Sequence, residues 1–389
     1  MLFRRRKPAR DFYFDFYEGG ETSTVQQHYI YEGHIYEKYL SPGKEKLLSF
    51  TPRLSNDFKL ETMISEILPL TNAKMRRKLE RCFVVTQFND ELQAYVAKHR
   101  QELDGEIIFF SDGLSTVIFL YSVLLSWFIF HAMESEGKSL ELRSAFKLGD
   151  HQLTEPVVKE KLDRYAKILG ELQKRWSESG RFSLDVSFLD FQTEMFWEAP
   201  ESVANIAINF ATFAHKFIIG HEYAHYLLGH LEDKDDYFNL SMVFIDQWLT
   251  APSSSILHEF EADLISLALN SGAFRHEKRL TRLRVTSEAA SGMALALTVL
   301  GQIADPQLES ATHPATIDRL AHWTTLVSTF AEAKDKSVIN MFYSFQRFLF
   351  EIQGRGVWSA LRSYQYPPIN EDSYGAKFIL GTLLGQRRK

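Results

Sequence analysis

The chain has one cysteine in 389 residues. A single thiol cannot close a bridge within the chain, so a disulfide framework is excluded and a reducing compartment is suited. Cys82, followed by Phe83, Val84 and Val85, reads as a structural thiol at the edge of an apolar face rather than a nucleophile. Extended basic tracts are also lacking. The formal charge is −6, and this balance argues against nucleic acid as the main partner. Arg4-Arg5-Arg6-Lys7, with Arg10 close behind, reads as a solvated terminus rather than a membrane or polyanion contact. No apolar stretch follows it, and Asp11 and Asp15 interrupt, so no signal peptide is expected. Long uncharged runs are scarce. Only Leu114–Met133 has the length of a bilayer span, about twenty residues. Ser115, Thr116, Ser122 and Ser126 recur near one stripe of it, and Ala289–Ile303 is apolar but too short to be a second span. The reading is a buried helix in a cytoplasmic protein, with membrane association through Leu114–Met133 as the alternative.

What is present is His221-Glu222-Tyr223-Ala224-His225, inside the apolar run Phe210–Leu228. In a helix the two histidines lie one turn apart on one face and can grip one zinc ion. Glu222 sits about a third of a turn away and can reach a water beside that ion. Two helical histidines facing solvent would be the bland account, so a third ligand matters. The variant with a histidine about ten residues after the first fails, because Leu231 stands there. His230 is one residue off and lies beyond Gly229, where the helix should end. A better source lies downstream. Ser253-Ser254-Ser255 can cap a helix from about Ile256 to Leu269, with Glu259 and Asp263 four apart on one face. One carboxylate can ligate the metal, while the other accepts the outer N–H of a ligating imidazole.

The segment from His221 to His230 resembles the first signature of the gluzincin metallopeptidases. The likeness is to the CAAX-prenyl endopeptidases, the HtpX-like heat-shock proteases and their OMA-type relatives. Their Glu-x-x-Ala-Asp signature matches Glu259-Phe260-Glu261-Ala262-Asp263, and their His-Pro with a later Arg-aliphatic pair matches His313-Pro314 through Arg319-Leu320. The resemblance implies Glu259 as third zinc ligand, Asp263 as the residue that orients a ligand, and His313 near substrate or the transition state. Glu106–Leu114 resembles the strand and Gly-Leu helix start that precede the metal helix in that family. About a hundred residues then intervene, which implies an insertion at about 134–180. The likeness covers roughly Asp104–Trp323.

The fold expected is α+β, a mainly helical zincin-like metallopeptidase core with a small sheet beside the metal helix. Three regions follow: an N-terminal accessory region over 1–103, the core over 104–330, and a C-terminal helical extension over 331–389. Alternation over Phe12–Tyr17 predicts a short strand. Helices are expected over 60–103, Val157–Trp176 and 316–360, with a half-buried strand at Phe182–Phe188. Pro200 suits the start of the metal helix, and Gly292 with its neighbouring alanines suits tight helix packing. An acid-rich loop, Glu232–Asp236, should follow the metal helix, and the tail Asp372–Lys389 is weakly amphipathic.

The function expected is zinc-dependent endopeptidase, with one Zn(2+) per chain and a protein or peptide substrate. His221, His225 and Glu259 hold the metal, and Glu222 is general base. His313, Tyr223 and Tyr226 are candidates for steadying the oxyanion, His313 first by family position. Arg319 bridges carboxylates or aids the site. Strand Ile107–Phe110 would offer its edge to an extended peptide. The long insertion would suit a protein held latent for one dedicated target. The alternative is a non-catalytic metal-binding scaffold or sensor.

Overall fold

A computed structural model of the chain describes residues 6–16, 58–87, 91–96, 103–134, 156–179, 193–230, 254–275, 283–304, 313–332, 335–356 and 358. The expected strand at Phe182–Phe188, the acid-rich loop, residues 135–155 of the insertion and the tail lie outside these residues. The described elements run β1 (Lys7–Pro8), α1 (Ala9–Phe16), α2 (Phe58–Ile67), α3 (Ala73–Leu79), β2 (Phe83–Gln87), β3 (Ala94–Val96), β4 (Leu103–Asp104), β5 (Ile107–Ser111) and α4 (Asp112–Glu134). They continue with α5 (Pro156–Ser179), α6 (Glu201–Leu228), α7 (Ser254–Asn270), α8 (Ser287–Ile303), α9 (Thr316–Phe330) and α10 (Ser337–Gln353). This is a mainly helical, zincin-like α+β fold with a small sheet next to the helix that carries the histidines.

The long helix α6 is the axis. It packs against α4, α7 and α8, and its apolar faces are buried through Val203, Phe210, Ala214, Phe217 and Leu227. It stops at Gly229, whose φ of 73° closes the helix in the left-handed conformation. Two glycines set the spacing of its neighbours. A Cβ on Gly292 of α8 would fall 2.2 Å from the Phe213 carbonyl oxygen, so α8 and α6 cross almost backbone to backbone. A Cβ on Gly220 of α6 would fall 2.6 Å from Ser266 Oγ. That second crossing is pinned by polar bonds: Ser266 Oγ donates to the Phe217 carbonyl at 2.5 Å, and Asn270 Nδ2 to the Lys216 carbonyl at 3.0 Å. Glu259, Asp263, Ser266 and Asn270 repeat at four-three-four spacing, one stripe of α7. The bonds that seat Ser266 and Asn270 on α6 therefore aim Glu259 and Asp263 at the same helix.

Three strands form the sheet beside α6, in the order β2-β5-β3. β5 is central, parallel to β2 and antiparallel to β3. Both sides of Ile107–Phe110 are thus taken, and β2 and β3 are the outer strands of the sheet, with β3 against α6. The helical periodicity read through Phe83 and Val96 is also corrected. Val84, Val85, Thr86 and Val96 are β-branched and prefer the pleated surface on which they lie. The reverse holds at the start. Residues 9–16 are helix α1, not a strand, and bury Ala9, Phe12 and Tyr13 on one face. Alternating Phe12 and Phe16 are also i and i+4, so the pattern suited either element.

Helices α4 and α6 are each long and apolar enough to cross a membrane by length and composition. Most residues of α4 between Gly113 and Met133 are buried within the fold. Ser122 and Ser126 satisfy their hydroxyls on the carbonyls of Phe119 and Val123 within the helix.

Candidate metal centre

Each donor is positioned by an element already described. His221 and His225 sit one turn apart on α6, just after Gly220, and Glu259 comes across from α7. His225 Nε2 lies 3.1 Å from His221 Nε2. Glu259 Oε2 is 3.3 Å from the His221 nitrogen, and Oε1 is 3.4 Å from the His225 nitrogen. Zinc held tetrahedrally by ligands at about 2.0–2.1 Å has neighbouring donors about 3.3 Å apart. The three spacings match that edge, and the two nitrogens and the carboxylate are a donor set zinc favours. The site is a buried His-His-Glu cluster able to hold a metal ion.

Asp263 stands behind it. Its Oδ1 is 2.9 Å from the outer nitrogen, Nδ1, of His221. Arg319 of α9 donates to the same carboxylate twice, from Nε to Oδ2 at 2.9 Å and from Nη2 to Oδ1 at 2.6 Å. Its Nη1 also lies 3.8 Å from Glu259 Oε2. All four groups are buried, so their charges act in a poorly screened setting. Burial works against the Asp263 anion, yet Arg319 and His221 hold its carboxyl down at about 2. Burial likewise opposes charge on His221, but its hydrogen bonds to Asp263 and Glu259 raise its pKa to about 10. Glu259 is driven well below the carboxylate range by the two histidines, despite burial. These shifts describe one electron-rich pocket that attracts a cation.

Glu222 differs from Glu259. Burial raises its pKa, opposed by His221 and His225. Its Oε2 accepts the Val96 N–H of β3 at 2.9 Å, which ties the carboxylate to the sheet edge. A cleft of about 360 Å³ opens here, lined by Ala94, Val96, Glu222, Leu300, His313 and Arg319 among others. His313 is largely exposed, with Nε2 3.8 Å from Glu259 Oε1.

Two expected residues are not brought to the cleft. Tyr223 and Tyr226 fall about 200° and 140° around the helix from His221. Tyr223 is buried in the core, and Lys78 Nζ lies over the Tyr226 ring at 4.7 Å.

A second donor group lies alongside. His230, His258 and Glu261 bring ligand atoms within 4.8 Å of one another. His230 Nδ1 is 3.0 Å from His225 Nδ1, and its Nε2 is 3.1 Å from Glu261 Oε2. Burial, then the neighbouring His225 and His258, lower His230 to about 2. Sequence reasoning set His230 aside because it misses the third-ligand position by one, and it overlooked His258 and Glu261. Their i, i+3 spacing on α7 was the available signal.

Helix pair, donor triad and adjoining sheet define a zinc-metallopeptidase-like fold. A family model described as Peptidase U49 matches residues 190–342, less than half of the chain, and that stretch contains every donor named above. No curated protein and no solved structure matches the chain.

Proposed function

We propose that the protein is a zinc-dependent endopeptidase of the gluzincin type, with one ion held by His221, His225 and Glu259. The single observation that carries this reading is the carboxylate of Glu222 in a cleft shared with that donor triad. Zinc held by His221, His225 and Glu259 would supply Lewis acidity towards the scissile carbonyl and the attacking water. Glu222 takes the proton of the attacking water and passes it to the leaving amine. Its raised pKa suits both halves of that transfer. His313 donates to the developing oxyanion from the exposed side of the cleft. Asp263 fixes the tautomer and direction of His221, and Arg319 neutralises the buried acids. The outer edge of β3 aligns an extended peptide through main-chain groups other than the Val96 N–H, which Glu222 already accepts, and this gives the cleft a protein or peptide substrate. The peptidase family match over the same residues agrees with that class.

A non-catalytic metal-binding scaffold or sensor draws on the same triad, and metal binding is what the triad supports most directly. The Val96 amide on Glu222 favours this second reading, because it occupies one oxygen of the proposed base. Substitution of Glu222 by Gln separates the two. A peptidase keeps its zinc and loses hydrolysis of a peptide library by at least about 100-fold, the usual contribution of a general base. Equal cleavage profiles for the two proteins would sink the endopeptidase reading.

A further inference from the structure

We infer that His230 and Glu261 form a proton-ordered relay that positions His225 for the metal. The inference rests on the reading that His225 ligates through Nε2. A neutral imidazole with Nε2 given to a metal carries its one proton on Nδ1. His225 Nδ1 lies 3.0 Å from His230 Nδ1. Two nitrogens at that distance form a hydrogen bond only if one of them is bare, so His230 Nδ1 accepts. The remaining proton of His230 is then on Nε2, 3.1 Å from Glu261 Oε2, and donates to that carboxylate. One tautomer of each ring satisfies both bonds, and the order is Glu261, His230, His225, metal. His221 reaches its carboxylate, Asp263, directly. His225 reaches one through a second imidazole, which holds the ring against rotation and raises its donor strength by the same polarisation.

Local structure keeps the relay in register. Gly229, in the left-handed conformation, turns the chain so that His230 comes back over the last turn of α6. Its amide donates to the His225 carbonyl at 3.1 Å. The His258 ring stacks on it with centroids 3.9 Å apart and planes 9° from parallel.

That stack decides between the relay and a second metal seat on His230, His258 and Glu261. Imidazole lone pairs lie in the ring plane. Two rings face to face keep their lone pairs in separate, nearly parallel planes, and one ion cannot lie in both. A metal on His230 Nε2 would also displace the proton that Glu261 accepts. His230 is therefore a positioning residue, acting through His225.

The test uses the full chain, zinc as probe and competition with a chromophoric chelator. Expected results are a tenfold or greater loss of zinc affinity in His230→Leu, and affinity within about threefold of wild type in His230→Asn, whose side-chain oxygen replaces Nδ1 as acceptor. Glu261→Leu, on a partly exposed side chain, should weaken zinc by about threefold or more, because His230 can then present an N–H to His225. Nitrogen-15 spectra of the zinc-loaded wild type should show His230 as the Nε2–H tautomer. Equal losses in His230→Leu and His230→Asn would mark a packing role and overturn the relay. So would an Nδ1–H tautomer, unchanged affinity in Glu261→Leu, or two zinc ions per chain with one lost in His258→Ala. His221→Ala separates the layers: if it leaves zinc content intact, the metal-site reading itself fails. If it abolishes binding while His230→Leu does not, only the relay fails.

Discussion

Asp263 Oδ1 lies 2.9 Å from His221 Nδ1. The same carboxylate is gripped at both oxygens by Arg319. An acid on α7, a base on α9 and an imidazole on α6 are thereby joined in one buried chain of bonds. Asp263→Ala should weaken zinc by about 10–100-fold, as expected when the partner of a ligating histidine is removed. Arg319→Leu should cost about 3–5 kcal/mol of stability, since it strands a buried carboxylate. Chelator competition and chemical denaturation read the two effects separately. Native-like affinity in Asp263→Ala would show that His221 needs no orienting partner.

Gly292 offers a purely structural prediction. Its Cβ position is 2.2 Å from the Phe213 carbonyl oxygen, and a main-chain atom in a helix cannot swing aside. Gly292→Ala should force α8 away from α6 and destabilise by about 1–3 kcal/mol, with zinc affinity falling less than stability. A melting temperature at or above that of the wild type would mean that the two helices separate freely.

His322 predicts a pH dependence. Its ring is buried, stacks on Phe260 at 5.1 Å, and burial lowers its pKa to about 4. The folded value lies below the unfolded one of about 6.5. Between these values the unfolded chain binds more protons, so stability falls as pH drops from about 6.5 towards 4. His322→Phe removes this term. Between pH 7 and pH 5 the wild type should lose roughly 2 kcal/mol more than the variant. Parallel acid titrations of the two proteins would refute the assignment.

The burial of α4 is what a core helix would show, although its length and composition also suit a span. The protein should then remain in the supernatant when cells are broken without detergent. Sedimentation with lipid that survives high-salt and alkaline washing would show instead that α4 spans.

The metal site was largely legible in the sequence because helical geometry is local. His221, Glu222 and His225 share a known angular offset, and so do Glu259 and Asp263. That the two helices meet was argued from chemical need and signature order; Gly220, Ser266 and Asn270 supply the physical means. Helices α2 through α10 fall in stretches that read as helical in the sequence. The sheet was less legible. Phe83 to Val96 satisfies a helical spacing by accident, and nothing local reveals that Ala94–Val96 pairs across β5 from Val84. His230 was discounted by counting positions along an ideal helix. The turn at Gly229 changes that arithmetic, and only the folded chain shows it.

The strand wall and the donor seat come from distant stretches, 94–96 and 221–259. Their separation makes the cleft modular. A designer could transplant a different Leu92–Val96 segment to reshape that wall, and leave His221, His225, Glu259 and the α6–α7 crossing untouched.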